Sequence, residues 1–579
     1  MNPDRRLLKE PERRPRNMLL VGAKLLLVLG FVLATNVGFG SRVNLLVDNS
    51  RYNTLVPYLA IWGVALAAMV IAALQPNRWV RLFWATMIAL SSAAAWGYHH
   101  ASQSEVTVFD IVSLWNARHE AGRASGFYGE HIILASFVLA AGLLVFAAPV
   151  GVTARARTWL RRLFWFPAVP VALIGGVVFL KGGGGSQAMP SQFTPVALTS
   201  LAGAKIALTG APQRRGVAWQ PEKPAHPRNI VMLVDESIRA DYLDLTPGNP
   251  HTPKLGALAA DFVNFGPAVS GGNCSNYSNA ILRFGASRKD VVGSINTNPS
   301  LWEFAHAAGY RTVFIDAQAG GITNPGLLQN FMSMAEKAEI DSFHAIRDVE
   351  SAGADGRLAE IVADELRKPG PVFIYANKNG AHFPYDHAYP QSETLYHPAM
   401  REAASDTMEA RVASYRNAIA WSVDGFMDKL FRIADLSATT LVYTSDHAQK
   451  LDPADLTHCK VEDADPRMGL VPLLIATKDK GLRRELEIAA VRLQGRASHF
   501  QIAPTVLSWM GYRASDIATA YDESLTSGGI RQPAFTSGDV FGLFSSDVHW
   551  TPVNTAKDYL EPPARALLPA PATTAGVQG

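Results

Sequence analysis

Cysteine is almost missing: the chain has two, Cys274 and Cys459, among 579 residues. That excludes a disulfide scaffold, an iron–sulfur cluster and a thiolate zinc site, each of which needs several thiols. Also missing is an excess of charge of one sign. The 53 basic and 50 acidic side chains leave a formal net charge of +3, which argues against a nucleic-acid binder held by a broad basic surface. Charged residues of both signs make up only 18%, below the roughly 25% of a typical soluble domain. The mean hydropathy of +0.06 is unremarkable, but it averages an uneven chain, and the apolar residues gather at one end.

Five apolar runs precede residue 185, at 18–39, 54–74, 80–98, 131–150 and 163–180, and none carries an acidic residue. Crossing a hydrocarbon core of about 30 Å takes about 20 residues, so each run is read as a transmembrane helix. Five such runs exceed what a soluble core uses, and a cleaved signal peptide is disfavoured because the first run is long and followed by more. Lys24 lies near an end of the first run, from which it can snorkel. Arg5, Arg6, Lys9, Arg13, Arg14 and Arg16 precede the first run, Arg78 and Arg81 follow the second, and Arg155, Arg157, Arg161 and Arg162 follow the fourth. The opposite loops hold only Arg42 and Arg51, and Arg118 and Arg123. The positive-inside rule therefore puts the N-terminal 1–17 in the cytoplasm and everything after about residue 181 outside, in the periplasm of a bacterial inner membrane.

Residues 181–228 are rich in Gly, Pro and Ser and read as a connector, with a short amphipathic stretch near 195–209. From Asn229 the pattern turns to short apolar runs of buried-strand type, NIVMLV, RTVFID, PVFIYA, TLVYTS and VPLLIAT. Helical stretches such as 356–367 and 405–434 lie between them. This alternation predicts an α/β domain over 229–560, its mostly parallel central sheet sandwiched by helices. The Pro/Ala-rich tail at 561–579 reads as disordered.

Ligands of open parallel sheets sit beyond the carboxyl ends of the strands. Asp235, Glu236 and Ser237 follow NIVMLV; Asp446 and His447 follow TLVYTS; Asn377, Lys378, Asn379 and His382 follow PVFIYA; RTVFID ends on Asp316. Taken singly, Asp or Ser after a strand is a common helix N-cap. Four strand ends loaded together with carboxylate and imidazole point to a site for Zn²⁺, Mn²⁺ or another divalent metal.

In order, VDESIRADYLD, HTPKLGALAADFVNF, SGGNCSNYSNAILRFG, GAHFPYDHAYP, YTSDHAQ and SHFQIAPTVLSWMGY resemble the sulfatase-like branch of the alkaline phosphatase superfamily. Within it, the chain is similar to membrane-bound phosphoethanolamine transferases acting on lipid A and to lipoteichoic acid synthase-like phosphoglycerol transferases. The resemblance spans about 225–515, and the five preceding runs match the transferase architecture. It implies Glu236, Ser275, Asp446 and His447 as metal ligands, with Ser275 also the nucleophile that becomes phosphorylated. His382 and His458 match histidines that hold the substrate phosphate or protonate the leaving group. Lys378 is assigned, from its position alone, to charge against the phosphoryl oxygens.

The sequence also departs from the pattern. Ser275 stands where the transferases usually have Thr, and Cys274-Ser275-Asn276-Tyr277-Ser278 lacks the proline and arginine that sulfatases need to make formylglycine. Ser278 and Cys274 remain rival nucleophiles, and Asp235 remains a further candidate ligand. The resemblance sets Cys274 beside the nucleophile and Cys459 beside His458, so a Cys274–Cys459 bridge is expected outside the cytoplasm, two free thiols being the alternative. The loop 106–126 is similar to one that binds the lipid donor in the transferases, which nominates Asn116 and Glu120; an interfacial helix is the alternative. The implied reaction moves a phosphoethanolamine or phosphoglycerol group from a membrane phospholipid, through phosphoserine, to lipid A or another envelope glycan. A sulfatase-like hydrolase and a non-catalytic lipid-binding sensor are the other readings.

Overall fold

The structure is a computed structural model and describes residues 13–48, 50–102, 105–111, 129–209, 214–224, 226–318, 337–453, 456–461, 463–529, 532–540, 542–544 and 548–555. It divides into two compact units, one built on residues 1–210 and the other on 211–542.

Among the described residues of the first unit, three helices are long and apolar enough to cross a membrane: Met18–Thr35, Tyr52–Ala73 and Gly129–Ala147. Two of the five expected spans differ from this pattern. The third lies in a helix of 25 residues, Arg78–Ser102, which is long enough but diluted by arginine, histidine and serine. The fifth is cut to the 13-residue helix Ala168–Leu180, because turns occupy 163–167, and its rise is only about 20 Å. Gly142 lets the helices meet closely: a Cβ there would lie 2.9 Å from that of Ala89 and 3.0 Å from the Phe31 ring, the small-residue contact that membrane helices favour.

Lys24 does not snorkel. It is buried and donates to the Phe146 carbonyl at 3.2 Å and to that of Ala148, while Arg81 Nε donates to Ala147 at 3.0 Å. Two cations thus satisfy the last carbonyls of the Gly129–Ala147 helix, which have no partner within it. The expected connector is also ordered in its first part. Tyr58 and Trp62 both donate to the Ala188 carbonyl, at 2.8 and 3.1 Å, and Thr194–Thr209 is a helix of this unit. Gly183, at φ 96°, faces Phe109 so closely that a Cβ would lie 2.3 Å from the ring. The glycines here serve close packing, which composition alone reads as flexibility.

Among its described residues the second unit holds nine strands: β1 (Asn229–Asp235), β2 (Phe262–Val269), β3 (Arg311–Asp316), β4 (Ser342–Ala345), β5 (Val372–Asn377), β6 (Thr439–Ser445), β7 (Leu470–Thr477), β8 (Ala534–Ser537) and β9 (His549–Pro552). Seven form one sheet in the order β2-β7-β6-β1-β5-β3-β4, and β8 and β9 pair separately. The β1–β5, β1–β6, β3–β5 and β3–β4 pairs are parallel; β7 runs antiparallel to both neighbours. β1, β5 and β6 are buried along their whole length, which is why they read as continuous apolar runs. β2 escaped the sequence reading because Gly266 and Pro267 interrupt it at a register shift. As an edge strand it tolerates that proline.

The helix Ser275–Phe284 is closed by Gly285 at φ 62° and ψ 156°, a region essentially restricted to glycine. A Cβ at Gly285 would stand 2.4 Å from the Tyr521 ring and 2.9 Å from the Ala503 Cβ. Gly285→Ala is therefore expected to cost about 1–3 kcal/mol and to lower the thermal midpoint of the purified chain; an unchanged midpoint would refute the assignment.

Candidate active site

Parallel register creates the site. Asp235 pairs with Ser445 across β1 and β6, so the next residues, Glu236 and Asp446, leave two central strands side by side. The Asp446 amide donates to the Asp235 carbonyl at 2.8 Å, extending the ladder by one step. Cys274 is the extended N-cap residue of the Ser275–Phe284 helix, and Ser275 opens its first turn.

The Ser275 hydroxyl lies 3.2 Å from Glu236 Oε2 and 3.1 Å from His447 Nε2. His447 Nε2 is 3.4 Å from Glu236 Oε1 and 3.6 Å from Asp446 Oδ2. One ligand atom from each of Glu236, Asp446 and His447 falls within 4.8 Å of the others, and all three residues are buried. His447 Nδ1 lies 2.8 Å from the Ala448 carbonyl. A carbonyl only accepts, so Nδ1 carries the proton and Nε2 keeps a lone pair for the cluster in the neutral ring.

Burial, more than any neighbour, pushes the Glu236 carboxyl up to about 7, and repulsion from Asp446 adds to it, while His447 and His382 oppose. Burial likewise pushes Asp446 up to about 6, against the amides of Ser237 and His447, and lowers the His447 imidazole. Asp446 Oδ1 accepts from those two amides, at 3.1 and 2.6 Å. Its Oδ2 is buried with no hydrogen-bond partner. Two buried carboxylates, an orphaned oxygen, a neutral imidazole nitrogen and a hydroxyl together fit a divalent ion with oxygen and nitrogen ligands.

The other expected residues fall around this cluster. His458 stacks on His447, rings 4.5 Å apart and inclined 20°, and His382 lies 6.3 Å from His458. His382 Nδ1 donates to the Phe383 carbonyl at 2.7 Å. Lys378 departs from its expected place facing phosphoryl oxygens: it is fully buried and its ammonium is paired with Asp235. Asp235 turns away from the cluster, taking the Glu236 amide on Oδ1 at 3.0 Å and Lys378 and Tyr443 on Oδ2. Ser278 also lies apart, its hydroxyl 3.1 Å from His499 Nδ1. Asn116 and Glu120 lie outside the described residues.

Cys274 and Cys459 form a disulfide, Cα atoms 4.6 Å apart, which removes Cys274 as a rival nucleophile. Asn273 doubles the tie: its carbonyl accepts from the Cys459 amide at 2.8 Å and its side chain donates to the Lys460 carbonyl at 2.7 Å. Glu236 Oε1 accepts from the hydroxyl of Ser237, one of the strand-end residues, at 2.7 Å. Gln318, which escaped the sequence reading, donates to Glu236 Oε2 at 3.0 Å. Gln318 comes two residues after β3, so the strand-end rule that singled out Asp316 would have reached it.

Residues 228–512 match the family model described as Sulfatase. The chain thus carries a Sulfatase family-model domain, of the alkaline phosphatase superfamily, over just under half of its length. The chain is similar to the integral membrane lipooligosaccharide phosphoethanolamine transferase A (EptA) of Neisseria meningitidis, at 17% identity and a TM-score of 0.57, covering 80% of this chain and 90% of that one. That likeness shows a shared fold across both units. The C-terminal periplasmic domain of EptC from Escherichia coli, solved in complex with zinc, matches at 18% identity and a TM-score of 0.44, over 57% of this chain and 94% of that one. Among curated proteins, YhbX of Escherichia coli (strain K12), whose transferase name is itself provisional, is 24% identical over 228 residues. The match spans 38% of the length of each.

Beneath the Ser275 helix, His499 is buried between Ser278 and the Thr444 hydroxyl, 3.0 Å from its Nε2. Burial pushes its imidazole down from 6.5 to about 3. Below pH 6.5 the unfolded chain takes up a proton that the folded one refuses, so stability falls by about 1.4 kcal/mol per pH unit as pH drops toward 3. His499→Gln is expected to remove about 2 kcal/mol of the loss between pH 6.5 and 5, read from unfolding curves at both pH values. Equal losses in the variant and the parent would contradict a neutral buried His499.

Proposed function

We propose that this protein is a metal-dependent phosphotransferase of the inner membrane. It takes a phosphoethanolamine-type or phosphoglycerol group from a phospholipid and passes it, through phosphorylated Ser275, to lipid A or another envelope glycan. The carrying observation is the Ser275 hydroxyl, within 3.2 Å of Glu236 and 3.1 Å of His447, in a buried cluster where Asp446 Oδ2 has no partner. Glu236, Asp446, His447 and Ser275 would hold the ion, zinc or manganese being suited to this donor set. When bound, a divalent ion supplies a Lewis acid that lowers the pKa of a hydroxyl and draws charge from phosphoryl oxygens.

The protein's own groups do the rest. Ser275 Oγ would give its proton to Glu236 Oε2, 3.2 Å away, and attack phosphorus; the new O–P bond forms as the bond to the diacylglycerol oxygen breaks. That oxygen needs a proton, which His382 or His458, on one side of the cluster, would give as imidazolium. With Nδ1 held by the Phe383 carbonyl, His382 exchanges its proton at Nε2. The acceptor hydroxyl or phosphate then attacks the phosphoserine and returns Ser275. Asn116 and Glu120 are carried as candidates for holding the donor.

In this reading the Arg78–Ser102 helix and the apolar run 163–180, of which Ala168–Leu180 is the helical part, complete five crossings with the three apolar helices above, leaving the N-terminus cytoplasmic and the sulfatase-like domain periplasmic. Anchoring raises the local concentration of a lipid donor.

The full chain in lipid nanodiscs, loaded with zinc and incubated with phosphatidylethanolamine or phosphatidylglycerol, is expected to gain a phosphodiester group on Ser275, read by mass spectrometry. Ser275→Ala abolishes that mass, and Asp446→Ala lowers retained zinc at least tenfold. A zinc-loaded protein whose serine stays unmodified with both lipids would overturn the proposal. Rapid discharge of the group to water without an acceptor would establish a hydrolase instead.

A further inference from the structure

A basic and aromatic surface in the membrane unit has no part in the site described above. The helix Ala154–Arg162, ARARTWLRR, carries Arg155, Arg157, Arg161 and Arg162 and buries none of its residues. All four arginines are exposed, while Ala156, Leu160 and Leu163, at positions i, i+4 and i+7, form a half-buried stripe. The Thr153 hydroxyl caps the first turn, accepting from the Ala156 amide at 3.3 Å. Two donors fix the helix to the segment between the second and third expected spans. Gln75 Nε2 donates to the Leu160 carbonyl and Trp84 Nε1 to the Phe164 carbonyl, both at 2.8 Å. Orienting a membrane chain takes only base in a loop, with neither cap nor clamp, so this fixed geometry calls for a further reason.

The segment 74–84 adds charge and rings of the same kind. Arg81 is taken up by the Ala147 and Gln75 carbonyls, but Arg78 is exposed, its guanidinium 4.7 Å from the centre of the Trp79 ring. On the helix, the Arg162 guanidinium lies 5.9 Å from the centre of the Trp159 ring. Trp79, Trp159, Phe164 and Trp165 are each more than half exposed. In water such rings are a liability; at the boundary between headgroups and acyl chains they are at home. The sequence has no Asp or Glu at 49–104 or at 131–221, so neither segment brings a carboxylate to these guanidiniums.

Guanidinium forks match phosphate oxygens two at a time, and flanking rings suit the glycerol and upper acyl region of a phospholipid. A zwitterionic headgroup would set its own ammonium against Arg78, Arg155, Arg157, Arg161 and Arg162, with no carboxylate on either segment to receive it. A headgroup whose phosphate is its only charge meets no such repulsion. We propose that the helix Ala154–Arg162 and the segment 74–84 together form an interfacial platform that binds anionic phospholipid of the phosphatidylglycerol type. This binding goes beyond the reaction at Ser275 and does not depend on it; the topology above decides only that the cytoplasmic leaflet supplies the lipid.

The full chain, stripped of divalent metal so that no lipid is turned over, is held in neutral detergent and titrated with phosphatidylglycerol, phosphatidylcholine or glycerol phosphate. Lipid retained per chain is read by native mass spectrometry. The parent is expected to retain phosphatidylglycerol at least about fivefold better than phosphatidylcholine, and the difference shrinks at high salt. Arg161→Gln with Arg162→Gln is expected to lower phosphatidylglycerol retention at least about tenfold, each arginine near a lipid surface being worth about fivefold. Arg42→Gln with Arg51→Gln removes the same charge from a loop on the other side of the membrane, beyond screening distance, and is expected to leave retention within about twofold. Equal retention of the two lipids, or undiminished retention in the Arg161/Arg162 variant, would overturn the proposal. So would an equal loss in the Arg42/Arg51 variant, because net charge alone would then account for the binding. Displacement of the lipid by equimolar glycerol phosphate would make the surface a soluble-anion site and overturn it as well. Should the Arg161/Arg162 variant fail to insert, Arg155→Gln with Arg157→Gln decides on the same terms. None of these outcomes bears on phosphorylation of Ser275, which the nanodisc experiment tests separately.

Discussion

Two carboxylates with no solvent contact, Glu236 and Asp446, are held side by side at the ends of adjacent parallel strands, and most of the site answers to their repulsion. Charge removed from water is stabilised by donors or by countercharge, and here both are supplied in layers. The Ser237 hydroxyl and the Gln318 amide serve Glu236, and the backbone amides of Ser237 and His447 serve one oxygen of Asp446. What these donors leave uncovered faces Ser275. The chemistry proposed for the serine follows from that unfinished electrostatics more than from the serine itself.

The sheet makes this arrangement rigid. β1 is flanked on both sides by parallel partners, and successive residues along a strand point to opposite faces. Glu236 and Asp235 therefore turn away from one another, one into the cluster and the other toward Lys378. A single strand end in this way serves two charge clusters of opposite purpose, one short of positive charge and one internally balanced. The helices contribute at their ends and irregularities: the first turn of the Ser275 helix, the π turn at Ala420–Gly425, whose Ser422 carbonyl accepts from Lys378, and Asp355, which accepts from the Asn379 amide.

Much of this was legible in the sequence, for identifiable reasons. Central strands are buried on both faces, so β1, β3, β5, β6 and the antiparallel β7 showed as apolar runs, and the residues just after β1, β5 and β6 carried Glu236, Asp446, His447 and His382. Ser275 and the Cys274–Cys459 pair came from family resemblance, since nothing in their spacing brings residues 185 positions apart together. Lys378 was misplaced because sequence gives the position of an ammonium but not its partner. The membrane unit was legible in kind, and among the described residues three of the five expected spans stand as long apolar helices. Hydropathy sees composition, whereas the turns at 163–167 and the buried Lys24 depend on which carbonyls need a donor. The glycine run at 182–185 illustrates the same limit: a residue without a side chain suits both a loose tether and a tight contact.

The Cys274–Cys459 bond has a consequence for how the molecule comes into being. Its two halves are separated in the chain by β3, β4, β5 and β6, so the bond closes a loop that holds most of the sheet's interior, joining the segments that carry Ser275 and His458. It cannot persist where thiols are kept reduced. A chain still facing such a compartment would keep the Asn273 hydrogen bonds between the Ser275 helix and the loop of His458 but lack the covalent tie.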